Sequence, residues 1–432
     1  MLGEQFVNFL LGVVDTWLAG HISKEATGAV GMATYLGWLS GLIFMLVGSG
    51  AAALVSRSIG AGDRATANRA LHQAFLMALV FGVLASQLMF HGAALMAGFF
   101  APSPAARVLF EQFIRIDAWG YVLYALLLTC GGVCRAAGDT RTPMRVMIAV
   151  NLVNIVIASG LVFGWFGERW GVAGIATGTL IARCIGGVLM TVVMVRGHLG
   201  MRLSLAGLMP DFGIMWRMLR VGLPALADGG LMFAAQLAFI RIIAHSDASA
   251  EQAAANFAAH TIAMRIEAIT YLPAVAWMTA AATLVGQFLG AGKPHLATRA
   301  GHLAAAQGAV LGALSCVLFF TLADPIFRLM SSDPAVHAAG AGPFRMLAFA
   351  QPFLCIAIVY IGALRGAGDT RTTMIFSLVG GLLLRVPVAY LFASVLGWGL
   401  LGAWMGMWAD NVAKATMSFA RFVQGGWKRM KV

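Results

Sequence analysis

Twelve long apolar stretches separated by short charged loops dominate the pattern of hydrophobic and polar positions. They lie near 5–20, 29–55, 71–96, 109–134, 143–165 and 171–195, and then near 221–244, 257–286, 302–323, 338–363, 373–396 and 399–420. A helix of about 20 apolar residues crosses a bilayer, and runs this continuous lack the alternation of a membrane strand. The pattern therefore predicts an all-α integral membrane protein with twelve transmembrane helices.

The chain also repeats itself. The octapeptide 135–142 (RAAGDTRT) returns at 365–372 (RGAGDTRT), 230 residues later, and the Gly-Ala-Gly at 60–62 returns at 290–292 with the same offset. A constant offset indicates two copies of one structural unit. Six helices per copy give both copies the same orientation, as in transporters with parallel repeats related by a pseudo-two-fold axis. We expect an N-lobe at 1–197, a cytoplasmic linker at 198–219 and a C-lobe at 220–432.

Composition supports a membrane location. Of the 432 residues, 60% are hydrophobic and only 11% are charged, and the formal net charge is +12. Lysine and arginine concentrate in the loops after even-numbered segments and in the C-terminal tail, whereas the opposite loops hold only Lys24, Arg107, Arg169 and Arg328. The positive-inside rule predicts a multi-pass protein of the bacterial inner membrane with both termini cytoplasmic. Its positive charge then faces anionic lipid headgroups, and we expect no nucleic-acid partner.

Segment 1 is short. Only about 14 residues separate Gln5 from Leu18, fewer than a helix needs to span at about 1.5 Å per residue. Segment 7, its counterpart, begins earlier relative to its apolar core. We expect the first turns of helix 1 to be missing from this chain.

One carboxylate lies inside segment 1. Asp15 stands in the sequence Val-Val-Asp-Thr-Trp, and an ionisable residue at membrane depth is by default a functional-site hypothesis. Desolvation disfavours the charged form, so Asp15 could bind and release a proton near neutral pH. The alternative is an aspartate at the outer interface that only caps the short helix.

Other polar residues lie within predicted helices. Asn151 and Asn154 are about one helical turn apart, and asparagine serves either as a helix–helix contact or as a cavity ligand. Asp410 and Lys414 are spaced for a structural ion pair. Arg115 and Asp117 are expected at the outer interface. We expect Asn151, Glu267, Gln351 and Arg385 to line a substrate cavity.

The repeated octapeptide loops carry paired charges. Gly138 and Gly368 are expected to end helices in the left-handed conformation, with Asp139 and Asp369 capping the helices that follow. A capped turn explains each loop alone. For the pair of loops we expect a cytoplasmic latch whose charge contacts differ between two states, formed by Arg135, Asp139, Arg141, Arg365, Asp369 and Arg371.

This ordered set of motifs resembles the multidrug and toxic compound extrusion (MATE) transporters. The matching motifs are Val-Asp-Thr in helix 1, Gly-Ala-Gly after helices 2 and 8, the Arg-x-Ala-Gly-Asp-Thr-Arg-Thr loops, Asn154-Ile-Val, Gly171-Val-Ala-Gly and Arg385-Val-Pro. The chain is most similar to the bacterial DinF-like branch. The resemblance implies a V-shaped, two-lobe secondary antiporter that expels cationic amphiphiles in exchange for H⁺ or Na⁺ by alternating access, without a cofactor or bound metal.

The resemblance also implies a cation-coupling site formed by Asp15, Asn154 and Thr179. The family's usual second carboxylate, four residues after the asparagine, is Ala158 here, and the C-lobe carboxylates of the sodium-coupled branch fall near Met232 and Leu354. One titrating carboxylate suffices for a proton, whereas a dehydrated sodium ion needs several oxygen ligands. We therefore predict proton coupling, with Na⁺ as the alternative, in a monomer.

Three other functions are compatible with the architecture. A lipid-linked oligosaccharide flippase of the same superfamily would need a cavity ring of arginine and lysine for the pyrophosphate. A membrane enzyme would need a convergent nucleophile or a metal cluster, and the sequence shows neither signature. A non-transporting sensor or scaffold is the third alternative, and substrate-dependent proton release would argue against it.

Overall fold

A computed structural model describes residues 2–100, 104–245, 249–331 and 333–430, and it is helical almost throughout. The chain forms two compact units, Met1–Gly222 and Leu223–Val432. The first unit contains α1 (Leu2–Gly20), α2 (Lys24–Gly60), α3 (Arg64–Phe100), α4 (Pro104–Ala118), α5 (Tyr121–Ala136), α6 (Arg141–Phe163) and α7 (Gly171–Arg196). A 3₁₀ turn (Leu205–Leu208) precedes α8 (Phe212–Ala244), which crosses the boundary into the second unit.

The second unit continues with α9 (Ala250–Gly290), α10 (Pro294–Met330), α11 (Pro334–Ala348), α12 (Gln351–Gly366), α13 (Thr370–Ser377), α14 (Val386–Tyr390) and α15 (Gly399–Gln424). Two π-helical stretches, Leu378–Arg385 and Leu391–Val395, join α13 and α14 into one continuous helical segment. A final 3₁₀ turn spans Gly426–Arg429.

The predicted twelve membrane segments are confirmed. In the described part of the chain, eight helical segments are long and apolar enough to cross a membrane, and two bent helix pairs raise the number to ten. The bent pairs are α4 with α5, at 59°, and α11 with α12, at 55°. α1 has a shorter apolar stretch, Leu10–Gly20, and α15 carries charged residues; these two helices complete the twelve.

The internal repeat is visible in the backbone. The bends fall at Trp119–Gly120 and at Phe349–Ala350, again 230 residues apart, so the predicted continuous segments 4 and 10 are each broken near the middle. The glycines of the repeated turns share a left-handed conformation: φ is 75° at Gly62 and 68° at Gly292, and 103° at Gly138 and 89° at Gly368. Glycine adopts this region without a steric penalty, which explains why both copies keep it.

Small residues hold α6 and α7 in close contact. A Cβ added to Gly178 would lie only 2.7 Å from the Cβ of Ala158, and one added to Gly174 would lie 3.0 Å from the Cβ of Leu161. Glycines four residues apart let membrane helices approach to backbone contact. Ala158 is fully buried at this contact.

The predicted linker is folded onto the first unit. Ser204 donates its backbone N–H to His72 Nε2 at 3.0 Å, and the Gln73 side chain bonds the backbone of Met209 and of Asp211 at 2.9 and 3.0 Å. The second half of the predicted 198–219 linker is helical from Phe212 onward, and the two units divide at Gly222. Side chains of α3 therefore fix the first half of this segment.

Candidate functional site

Asp15 lies on α1, which packs most extensively on α6 and also against α2 and α7. Its side chain is half-buried, and the Oδ1 atom is buried with no hydrogen-bond partner in the described part of the chain. An ionised carboxylate out of water needs a cation or several donors to be stable. The site around Asp15 is therefore one where a proton or another cation would be stabilised.

Asn154 and Thr179, the other predicted coupling residues, are brought together. Asn154 Nδ2 donates to Thr179 Oγ1 at 3.1 Å, and Thr179 Oγ1 donates to the backbone oxygen of Ile175 at 3.1 Å. Both side chains are buried, and the Oδ1 atom of Asn154 has no partner among the described residues. Asn151 is buried about one turn earlier on α6. The α6–α7 contact thus presents an unsatisfied amide oxygen inside the first unit.

The sequence did not predict one ion pair of this unit. Asp117, in the last turn of α4, forms a buried ion pair with Arg183 of α7. The Arg183 guanidinium also lies over the ring of Tyr124, 4.4 Å from its centroid, and 5.6 Å from that of Tyr121. Arg183 therefore contacts both sides of the α4–α5 bend.

Asp117 is 3% exposed, and Arg183 of a neighbouring helix neutralises it there. The outer-interface position expected for Asp117 stays a prediction. Arg115 instead forms a half-exposed pair with Glu111 at 2.7 Å. No signal in the sequence links positions 117 and 183, since the two lie on different helices and share no motif.

The second unit buries a different charged group. Gln351, the first residue after the α11–α12 bend, donates from Nε2 to Glu267 Oε1 at 3.0 Å. Arg385 donates to Gln236 Oε1 at 3.0 Å and lies 4.2 Å from the centroid of Phe239. The structure thus brings three of the predicted cavity residues, Glu267, Gln351 and Arg385, into the interior of one unit.

The Asp410–Lys414 pair forms as its spacing predicts. Lys414 Nζ lies 2.9 Å from Asp410 Oδ1, and both side chains are nearly fully buried on α15. Arg385 interacts electrostatically with Asp410 and with Glu267. A Cβ at Gly380, in the first π-helical stretch, would lie 2.9 Å from Lys414 Cγ and would also clash with Asp410 Oδ1, so a glycine makes room for this pair.

The charged side chains of each repeated loop form their ion pairs with residues of the same unit. Asp139 Oδ1 accepts from the backbone N–H of Arg141 at 2.7 Å and of Thr142 at 3.1 Å, which confirms the capped turn, and Oδ2 pairs with His198 Nε2 at 2.6 Å. Burial opposes ionisation of Asp139, but the hydrogen bonds from Thr142, His198 and Arg141 outweigh it and lower the pKa of this carboxyl to about 2.

The second loop uses other partners. Asp369 pairs with Arg421 Nε at 2.8 Å, and Arg365 forms an ion pair with the fully buried Asp228. The side chains of Arg141 and Arg371 are exposed, and Arg135 is half-buried beside Gly131. The two copies of one loop sequence therefore have different tertiary partners, and the two-state latch stays a prediction.

The apolar helices define a multi-pass helical membrane protein whose interior holds polar and charged residues. The MatE family profile matches residues 1–159 and 232–391, nearly three quarters of the chain. The chain belongs to the MatE family.

The relatives extend over the whole chain. It is 29% identical to a probable multidrug resistance protein NorM of Thermotoga maritima, with 100% of this chain and 92% of that protein aligned. It is 27% identical to the multidrug resistance protein MdtK of Pectobacterium atrosepticum, with 95% of this chain and 90% of that protein aligned. Assignment to the DinF-like branch stays a prediction.

Solved structures share the fold. One shows the outward-facing conformation of a multidrug resistance MATE family transporter of the MOP superfamily; it superimposes with a TM-score of 0.91 at 20% identity, over 100% of this chain and 95% of that one. A MOP superfamily transporter from Pyrococcus furiosus gives a TM-score of 0.91 at 19% identity with the same coverage. The two-lobe, twelve-helix architecture is that of MATE transporters.

Proposed function

We propose that this protein is a secondary antiporter of the bacterial inner membrane that exports cationic or amphiphilic drugs in exchange for protons. Relatives aligned over nearly the whole chain are described as multidrug resistance proteins, which supports drug export. Asp15 carries the proton, and Asn154 and Thr179 complete the coupling site. The loops of the repeated octapeptide act as the cytoplasmic latch.

The observation that carries the proposal is the buried, unpartnered Oδ1 atom of Asp15. A carboxylate held at membrane depth with no hydrogen-bond partner among the described residues is costly, so it is expected to take up a cation whenever the site is closed to water. A proton satisfies it without further ligands. An organic cation in the substrate cavity neutralises the Asp15 carboxylate equally well. Because the proton and the organic cation compete for one negative charge, binding of one releases the other.

Proton coupling is favoured over sodium coupling by the α6–α7 contact. The second carboxylate that the family resemblance implies would stand at position 158, but Ala158 packs directly against Gly178 there. A sodium ion would have to be held without that carboxylate. In the second unit, Glu267 accepts a hydrogen bond from Gln351 and Asp410 is paired with Lys414. Asp15 Oδ1 has no hydrogen-bond partner among the described residues, which favours Asp15 as the coupling carboxylate.

The flippase alternative is weaker in this geometry. A ring of cations for a pyrophosphate needs arginines and lysines that are free to bind phosphate. Arg183 and Lys414 are instead paired with Asp117 and Asp410 inside their units.

The test is ethidium efflux from proteoliposomes with an imposed proton gradient, an imposed sodium gradient, or neither. We expect the wild type to transport with the proton gradient alone, and Asp15→Asn to fall to the level of empty liposomes. Glu111→Gln is the matched control, since it removes a carboxylate that forms only a half-exposed pair. Transport driven by sodium alone, or full transport by Asp15→Asn, would contradict the proposal.

A further inference from the structure

Three charged groups of the first unit interact electrostatically, and their charges do not balance. Asp15 interacts electrostatically with Arg183, which attracts it, and with Asp117, which repels it. Arg183 and Asp117 are joined in an ion pair, with side chains 17% and 4% exposed. Two carboxylates and one guanidinium carry one net negative charge when all three are ionised. One proton brings this cluster, Asp15–Asp117–Arg183, to neutrality.

The other charged residues of α2 and α6, the helices that pack most on α1, lie near the ends of those helices. They are Lys24, Glu25, Arg57, Arg141 and Arg145. His21 follows α1, and its ring is bonded to the backbone oxygen of Trp17 at 2.9 Å. Among the described residues, Asp15 interacts electrostatically with Arg183 on α7 and Asp117 on α4.

Arg183 is placed to serve more than one acceptor. Its bond to Asp117 Oδ1 runs from Nη1, while the face of the guanidinium lies over Tyr124 and Tyr121. A guanidinium has five N–H donors in a fixed planar fork, so one bond to Asp117 leaves donors for a second carboxylate. The buried Oδ1 atom of Asp15 is an acceptor without a partner, on a helix that packs against α7.

We propose that Arg183 is a positioning residue that exchanges between two carboxylates: it bonds Asp117 while Asp15 holds the coupling proton, and bonds Asp15 after the proton has left. The inference rests on the proposed proton exchange and adds the group that permits Asp15 to ionise. In the step itself, the O–H bond of the Asp15 carboxyl breaks, its electrons stay on the carboxylate, and the proton passes to water.

The charge count explains why the exchange is one for one. With the proton bound, the cluster is neutral and has no surplus charge for an organic cation. Without the proton it carries one negative charge, which a single monovalent cation neutralises. Arg183 sets this number, because without it the two carboxylates would carry two negative charges.

The test measures protons released when ethidium binds to the purified protein in a weakly buffered solution with a pH indicator. The readout is the pH on the alkaline side of the release profile at which proton release is half-maximal. It is measured for the wild type, Arg183→Gln, Asp117→Asn, Arg183→Lys and the double variant Arg183→Gln/Asp117→Asn. Nearby charges move such equilibria by about 1–3 pH units. If Arg183 only supported the α4–α5 bend, the half-maximal pH would not rise on loss of the positive charge and fall on loss of the negative charge.

We expect about one proton per ethidium in the wild type. Removing the guanidinium in Arg183→Gln should move the half-maximal pH up by about one unit or more, and Asp117→Asn, which leaves Arg183 to Asp15 alone, should move it down by a similar amount. The double variant has the wild-type net charge and should return to within about half a unit. Arg183→Lys, which keeps the charge, should do the same.

The outcomes separate the two proposals. If the wild type releases no proton on binding ethidium, proton exchange is wrong and this inference fails with it. If the wild type releases one proton but Arg183→Gln and Asp117→Asn leave the half-maximal pH unchanged, or shift it in the same direction, only the exchange by Arg183 is wrong. If Arg183→Gln does not fold, the half-maximal pH of Asp117→Asn is compared with that of the double variant. Equal values would show that the exchange by Arg183 is wrong.

Discussion

The two units share a repeated architecture but balance their buried charges differently. Among the described residues of the first unit, two carboxylates, the half-buried Asp15 and the buried Asp117, share one guanidinium, that of Arg183. The second buries Glu267 and Asp410 with Arg385 and Lys414, two charges of each sign. A balanced cluster is stable without an added ion, whereas one with a surplus negative charge requires a proton or a cation. Under the proposed function, the two copies of one fold divide the work: the first exchanges ions and the second forms a fixed polar core.

The strongest test of this contrast removes a cation from the balanced unit. Lys414→Gln leaves Asp410 without the ammonium group 2.9 Å away, and breaking one partner of a buried pair costs roughly 3–5 kcal/mol. We expect a clear fall in the thermal unfolding temperature of the purified protein in detergent.

The double variant Asp410→Asn/Lys414→Gln removes both charges and should recover most of the lost stability. A Lys414→Gln protein as stable as the wild type would show that Arg385 alone balances the second unit, and the contrast between the units would disappear.

A smaller effect is expected from adding a carboxylate to the first unit. Ala158→Asp places a side chain where Ala158 packs against Gly178, and overpacking costs about 1–3 kcal/mol. We expect reduced thermal stability and no sodium-driven ethidium transport. Ala158→Ser, which adds one atom, is the control. Sodium-driven transport by Ala158→Asp would mean that α7 moves aside and that the first unit accepts a further charge.

The smallest effect concerns the repeated loops, which have the same sequence but different partners. The pKa of Asp139, about 2, lies below the ordinary value near 3.9, so ionised Asp139 stabilises the fold above about pH 4, and this contribution is lost as the pH falls toward 2. Asp139→Asn should therefore cost at most about 2 kcal/mol at pH 7.

Thermal unfolding at pH 7 and at pH 3 measures this difference. The gap in unfolding temperature between Asp139→Asn and the wild type should be smaller at pH 3 than at pH 7. Glu168→Gln, an exposed carboxylate in the loop before α7, should show no gap at either pH. A gap that widens at pH 3 would contradict the assignment of this stabilisation to ionised Asp139.

Much of this protein follows from the sequence alone, because it depends on local chemistry. Continuous apolar runs determine the membrane helices, the constant offset determines the two copies, and Gly138 with Asp139 determines a capped turn. The i, i+4 spacing gives the Asp410–Lys414 pair. These features need only neighbours in the chain or in one helix.

Tertiary structure decided which distant residues meet. The Asp117–Arg183 pair joins positions 66 residues apart, Arg365 and Asp228 are 137 apart, and the linker is held by His72 from 132 residues away. The breaks in α4–α5 and α11–α12 interrupt segments that are apolar throughout, so hydropathy does not reveal them. Such contacts depend on how helix faces pack, and many pairings of apolar faces are nearly equivalent until the whole bundle is formed.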